Sequence, residues 1–492
     1  MTSIKKPSFR KQLIAIGAFS FAFASAATLN AQALLAPDFS GTVSSNSTVN
    51  AAIANYAANP TSANYDILVM AIYAANRTSL PLTTSTGHVE WHEHIEVTNN
   101  KTGAVDPAAG TTYTFSDAST GSSNSGGAFI FQPGSQGIFL AENGASYLFM
   151  GNEAGVYGGA IFAYGTSMVL KNGYFLGNIS SGGGGGAIAA IGGSIVLTDA
   201  SFISNVTDGI YGGGAIFASD STVALSVTDG ETTTFSGNYD NIGNSSMLLE
   251  ESTVNILTQG GAAAGDSVGI LDMRDPFRVW NGATINKNGE GQWKLGGTNS
   301  SDNLAPAILN VNEGTLYLYS EGEVGNPSEF NSGDRVHAGV IDFSAHSGSS
   351  FNLGTANGTG FGARLELGVG SSIIAGNVVL HDNATVLFKI DANGQTGKII
   401  GNTVTVGGNL VLEIDGLSEI LPSLQFDIFD GAISGTFSSI TDSSGMYTWT
   451  FDTSTGIVSG TPIPEPSTYA LFVAIGAVGL AVLRRRRKIR KN

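Results

Sequence analysis

The chain has no cysteine, so neither disulfides nor thiolate metal sites are available, and 492 residues must hold together by packing and hydrogen bonding alone. Charge is scarce too: Asp, Glu, Lys and Arg make up 12% of the residues, and no Lys or Arg occurs between Asn172 and Met273. The basic residues that exist crowd the ends. Four of the 22 precede residue 37 and seven follow Pro466, leaving 11 in the body against 39 acidic residues, a net charge of −28. A body of that sign excludes nucleic acid and anionic lipid as unaided partners. What the sequence has in quantity is glycine, at 67 residues, and it is ordered rather than scattered.

Between Gly126 and Asn238 one pattern occurs four times. It opens with Gly-Gly-Ala and an apolar residue, at Gly126–Phe129, Gly158–Ile161, Gly185–Ile188 and Gly213–Ile216, spaced by 32, 27 and 28 residues. It closes with Phe-x-x-Asn, at Phe149–Asn152, Phe175–Asn178, Phe202–Asn205 and Phe235–Asn238. Self-similarity at this period marks a solenoid or array. The units lack the Ala/Leu/Glu/Lys content of helix pairs, which excludes helical solenoids. Short runs such as Ser167–Leu170, a turn at Lys171–Gly173 and then Tyr174–Leu176 read as strands bounded by turn residues.

The economical solution is a parallel β-helix, each unit making one coil about 4.8 Å from the next. Within it the glycine pair takes positive φ at a corner, and the Ala and Ile/Phe after it point inward. The recurrent Phe stacks on its counterpart one coil away. The Asn forms a ladder that satisfies corner backbone groups. The paired motif resembles the repeat of the chlamydial polymorphic outer-membrane proteins, whose GGA-hydrophobic and FxxN elements belong to autotransporter-type β-helical passengers. That resemblance covers about a quarter of the chain, by the span of the four repeats.

The ends carry addresses. Lys5, Lys6, Arg10 and Lys11 precede an apolar run from Leu13 to Ala24 and then small residues, the order of a secretory signal peptide cleaved at Ala24-Ser25-Ala26 or Ala31-Gln32-Ala33. At the other end Pro464-Glu465-Pro466-Ser467 is followed by an apolar stretch, Tyr469 to Leu483, and then by Arg484, Arg485, Arg486, Arg487 and Lys488. Fifteen helical residues span only about 22 Å against roughly 30 Å of hydrocarbon, a marginal permanent anchor. The basic cluster is a stop-transfer signal that holds the tail cytoplasmic. In motif, length and order this end resembles the PEP-CTERM sorting signal. The resemblance implies that an exosortase-type sorting protease recognises Pro464, Glu465 and Pro466, cleaves near them and releases the body for display, in bacteria that make exopolysaccharide.

The chain then divides in order. Residues 1–33 are the signal peptide, and 34–120 an N-terminal cap with the first strands, including Ala-rich runs at 51–58 and 65–75. Residues 121–245 are the repeats, 246–460 further strands that close the body, and 461–492 the sorting signal. Within 246–460, Asn288 to Leu318 resembles the autotransporter-associated β-strand repeat, with Gly289, Gly291, Trp293, Leu295 and Gly314-Thr315-Leu316 in the matching places. The family's tyrosine-threonine segment is replaced by Ser300–Asn303. Aromatics crowd Leu424–Phe437 and Tyr447–Phe451, which suits a C-terminal cap, and Pro462 and Pro464 mark an extended linker. The fold class is all-β: an elongated right-handed parallel β-helix solenoid with a small N-terminal cap and a C-terminal sorting helix.

One stretch carries metal-ligating residue types. Read as a strand, His88–Val97 puts His88, Glu90, His92, His94 and Glu96 on one face. Imidazoles two residues apart can converge on Zn²⁺ or a similar ion, so His88, His92 and His94 are candidate ligands. A flat strand needs a ligand from a second strand to complete the coordination and none is visible, so the stretch reads as the solvated face of an early coil and no cofactor is expected.

Catalysis lacks its parts. Asp199, Asp208 and Asp220 sit beside Ser, Thr or Gly in turns, where Asp serves the backbone. The paired carboxylates of glycosidases and the basic residue of lyases have no counterpart in the repeats, and Gly182–Gly186 is followed by no Lys-Ser/Thr, so it is not a phosphate loop. The reading is a non-catalytic exported surface protein. Its tail tethers the precursor to the inner membrane of a Gram-negative-type bacterium, and the body then reaches the cell surface or extracellular matrix, associated with envelope components or polysaccharide. The alternative is a carbohydrate-active β-helix enzyme, a polysaccharide lyase or hydrolase, using the same address. A true autotransporter would need a terminal outer-membrane barrel, for which there is no strand pattern.

Overall fold

The structure, a computed structural model, describes residues 51, 88–91, 94–97, 102–105, 474–475 and 477–482. It also describes 109–463 apart from 123, 142–143, 242, 244, 261–266, 321–337, 357–361 and 416–422. The architecture is all-β with parallel sheets, compatible with a β-solenoid: each stretch of chain returns to pair, in parallel and in register, with the equivalent stretch one repeat earlier. We call one such circuit a rung.

The first sheet has 13 strands in sequence order. Thr112–Ser116, Ser146–Met150, Gly173–Leu176, Ser201–Ile203 and Thr232–Ser236 place Phe115, Phe149, Phe175, Phe202 and Phe235 opposite one another. Their rings stack with centroids 5.1, 4.6, 4.7 and 4.7 Å apart, all of them buried. Each stacked pair adds about 0.5–1.5 kcal/mol beyond its buried area. The column continues as Met273, Leu295, Leu318, Leu367, Phe388 and Leu412, so one inward position runs through both halves of the body.

The second sheet, of 19 strands, holds two segments per rung. In the repeats these are separate strands, such as Ile188–Ile191 and Ser194–Thr198; in Met247–Thr258 and Phe277–Asn288 they fuse into 12-residue strands that bend at Glu251 and at Asn281–Gly282, and after two rungs of separate segments they fuse again in Ser372–Leu380 and Lys398–Val406. The Ala and Ile/Phe after each glycine pair are fully buried.

Both glycines of the pair are required, for different reasons. Gly126, Gly158, Gly185 and Gly213 have φ of 65, 64, 73 and 81°, the left-handed region that a Cβ disfavours. The second glycine faces the neighbouring rung: a Cβ on Gly159 would lie 2.1 Å from the Gly186 carbonyl oxygen, and one on Gly186 2.1 Å from that of Gly214.

The Asn ladder is continuous and buried. Asn178 Oδ1 accepts from the Asn152 backbone N–H and Nδ2 at 3.1 and 2.9 Å. Asn205 does the same for Asn178 at 3.0 and 2.9 Å, and Asn238 for Asn205 at 3.1 and 3.0 Å. Each Nδ2 also donates to a Phe carbonyl of the preceding rung, as Asn205 does to Phe175 at 2.9 Å. Corner groups that would otherwise be orphaned are thereby paired. The ladder begins where Ala118 N–H donates to Asn152 Oδ1 and ends on Asp275, whose carboxylate accepts from the Gly237 and Asn238 amides and Asn238 Nδ2.

Two sequence expectations change. The segment His88–Val97 is not one strand: His88–Trp91 pairs in the first sheet and Ile95–Val97 in the second, so alternation does not run through it. Pro462 belongs to no linker; it ends the strand Ile457–Pro462, which forms a three-stranded antiparallel sheet with Leu424–Asp427 and Tyr447–Asp452. Pairing with Leu424–Asp427 ends at Gly460, so Pro462 has a strand on one side only and its missing N–H is tolerated as at a sheet edge. The Ala-rich runs expected to cap the N-terminal end lie outside the described residues, Ala51 excepted. Residues 474–475 and 477–482 are helical and expose Ile475, Val478, Leu480 and Val482. Among the described residues no helix is long and apolar enough to cross a membrane.

Candidate functional site

Pro464, Glu465, Pro466 and Arg484–Lys488 lie outside the described residues, as does His92. His88 lies in the strand His88–Trp91 of the first sheet, while His94 directly precedes the strand Ile95–Val97 of the second, so the single strand face assumed for them does not exist. His94 is exposed, its Nδ1 3.4 Å from the Gly127 carbonyl oxygen, and Glu96 accepts from Gln132 Nε2 at 3.0 Å. Among the described residues no group of three or more His, Asp or Glu is placed to hold a metal.

Two of the repeat aspartates sit at corners. Asp199 and Asp220 occupy left-handed corners with φ of 51 and 48°. Burial raises Asp199, which accepts from Thr228 N–H and Oγ1 at 2.8 and 2.9 Å. A shallow cavity brings Asp391 and Asp415 together beside Gln425 and Phe426. There the Gln395 backbone amide holds Asp391 below the ordinary carboxylate range, the reverse of what a glycosidase acid requires.

The distinctive surface is instead aromatic. Alternation along the second sheet sets Phe162, Ala189, Phe217, Leu248 and Arg278 in one outward column, with Tyr164, Ile191, Ser219, Glu250 and Trp280 beside it. Tyr157 and Tyr211 come from the turns just before two Gly-Gly-Ala corners and lie over the first column. Tyr157 is 5.7 Å from Phe162, 5.9 Å from Phe217 and 6.0 Å from Tyr211 by ring centroids; Tyr211 is 5.8 Å from Trp280.

The run Gly182–Gly186 makes this possible. A Cβ on Gly183 would stand 2.5 Å from the Tyr157 ring, and one on Gly184 2.9 Å from Phe217. These glycines, already excluded as a phosphate loop, are the floor on which two rings rest.

The platform is separate from the main core. Ala189, Phe217 and Leu248 are buried beneath it, while Tyr157, Phe162, Tyr211 and Trp280 are half-buried and Tyr164 is 47% exposed. Burial raises the Tyr157 hydroxyl, reinforced by Tyr211 and then Glu250, so Tyr157 stays a neutral hydrogen-bonding group. At the edge Arg278 pairs with the buried Asp240. The arrangement, rings with hydroxyls at their rims, suits stacking and hydrogen bonding. Sequence reading missed it because Tyr157 and Tyr211 look like turn residues. Their shared place before a Gly-Gly-Ala corner was the available signal.

No protein-family model matches the chain, and comparisons with curated proteins and with solved structures also find no match.

Proposed function

We propose that the chain is a non-catalytic exported protein, sorted to the cell surface through its C-terminal segment and displayed there as a right-handed parallel β-helix associated with the envelope or with exopolysaccharide. The observation that carries this is the order of the last residues, Pro464-Glu465-Pro466, an apolar stretch and Arg484–Lys488, behind a body of stacked parallel strands. The exposed apolar side chains at 475, 478, 480 and 482 are those a bilayer would cover before processing. An exosortase-type protease is the partner this reading requires.

The test is the mass of the protein at the surface of intact cells, with and without the sorting protease. Loss of the residues after the Pro-Glu-Pro site only when the protease is present is the expected result. A full-length tail in both strains would overturn sorting and leave a membrane-tethered protein.

A further inference from the structure

We infer that the strip formed by Tyr157, Phe162, Tyr164, Tyr211 and Trp280 is a binding face for an uncharged polysaccharide chain. This deepens the surface-display reading and rests on it only for where the protein meets its ligand.

The chemistry of the strip selects the ligand. A pyranose ring has a C–H face and a rim of hydroxyls, and it is held by an aromatic face bordered by neutral and anionic hydrogen-bonding groups. Half-buried rings lie here against the Tyr157 and Tyr211 hydroxyls, with the Glu250 carboxylate alongside. Charge excludes the polyanionic alternatives: no Lys or Arg occurs from Asn172 to Met273, and Arg278 at the margin is paired with Asp240. A body of net charge −28 repels a uronic-acid polymer at every approach.

Geometry selects a chain over a single sugar. The strip crosses five successive parallel strands, from Ile161–Tyr164 to Phe277–Asn288. Neighbouring strands lie about 4.7–4.9 Å apart, close to the advance of an extended glycan per residue. The rings are outward-facing and stand over glycines, so they contribute to the platform more than to the core.

The experiment is affinity electrophoresis of the purified full-length chain through gels containing xyloglucan, galactomannan, dextran or alginate. Retardation by at least one of the three neutral polymers and none by alginate is expected. Tyr211→Ala and Trp280→Ala each weaken binding about tenfold, the scale of one lost stacking contact. Tyr164→Ala, at an exposed position where folding is not at stake, weakens it several-fold. Tyr174→Ala, at an exposed tyrosine of the first sheet, leaves it unchanged.

No retardation by any neutral polymer, equal retardation by alginate, or binding indifferent to Tyr164→Ala in a protein of unchanged melting temperature would each overturn the inference. So would a dimer in sedimentation that Tyr164→Ala dissolves, since a second copy would then be the occupant. The assay uses no cells, so its failure leaves the sorting result standing, and failed sorting leaves this one standing.

Discussion

The repeats of residues 126–238 and the longer strands of 247–414 share one stack but keep their polar order on opposite sides of it. In the repeats the Asn ladder is inside, fully buried, at the corner of every rung. In the later half the amides move outward: Asn286 donates to Asn255, Asn310 to Asn286 and Asn352 to Asn310, at 2.9, 2.8 and 2.8 Å, with Asn255 still buried and the other three partly exposed. The inward position beside this outer row is taken by Lys287, aligned with Ile256 and Val311. Burial pushes its amine down to about 7, while its Nζ donates to the carbonyls of Asn288, Gly289 and Glu313 at 3.0, 2.7 and 3.0 Å.

Regular spacing allows a corner to be satisfied by a copy of itself; irregular spacing calls for a longer reach. Ladder neighbours in the repeats are 26, 27 and 33 residues apart, those of the outer row 31, 24 and 42.

Substitutions sharpen the contrast. The largest effect belongs to Gly186→Ala, whose Cβ would strike backbone at 2.1 and 2.5 Å, so the rung must open. A loss above about 5 kcal/mol is expected, seen as failure to fold, whereas Gly192→Ala, with φ of 66° and nothing within 4 Å, costs only about 1 kcal/mol in urea denaturation. Comparable effects of the two would break the claim that rung contact, rather than φ, governs the second glycine.

Next come the amides. Asn205→Ala removes the acceptor of two Asn178 donors and is expected to cost about 3–4 kcal/mol; Asn310→Ala on the outer row, where water replaces the lost partner, costs below about 1 kcal/mol. Equal midpoint shifts for the two would show that the sides do not differ.

The smallest effect is one of pH. Burial raises Asp275 from 3.8 to about 6, against its hydrogen bonds from Asn238 and Gly237. The folded state therefore binds the proton more tightly than the unfolded, and this group's stabilisation is full below pH 3.8 and lost as the pH rises through 6. The difference is up to about 3 kcal/mol. Asp275→Asn keeps an acceptor for Asn238 and removes that slope, so wild type and variant melting curves should diverge between pH 4 and 6; parallel curves would refute the assignment.

How much of this was legible follows from period. Phe149, Phe175, Phe202 and their Asn partners repeat in sequence because they repeat in space, each meeting its own copy. The reading failed where alternation was carried through His88–Val97, since period two does not register a change of sheet. It missed the aromatic platform for a related reason. Tyr157, Phe217 and Trp280 come from unlike places in three rungs, and only the register brings their rings together. Lys287 shares the inward parity of Ile285, but a lysine there runs against residue type, and the three carbonyls at its Nζ are what make its burial workable.

The Asn ladder also has a direction. Every amide donates toward the C-terminal neighbour, from Asn152 to Asn238, and the last finds in Asp275 a group that only accepts when ionised. A series closed by a donor at one end and an acceptor at the other tolerates insertion anywhere between, because an added 27-residue unit such as 158–184 presents the same donor and the same acceptor to its neighbours. The length of such a protein is thus free to drift in whole units by duplication and deletion, and the distance between its two ends becomes an inherited variable that selection adjusts without redesigning a single corner.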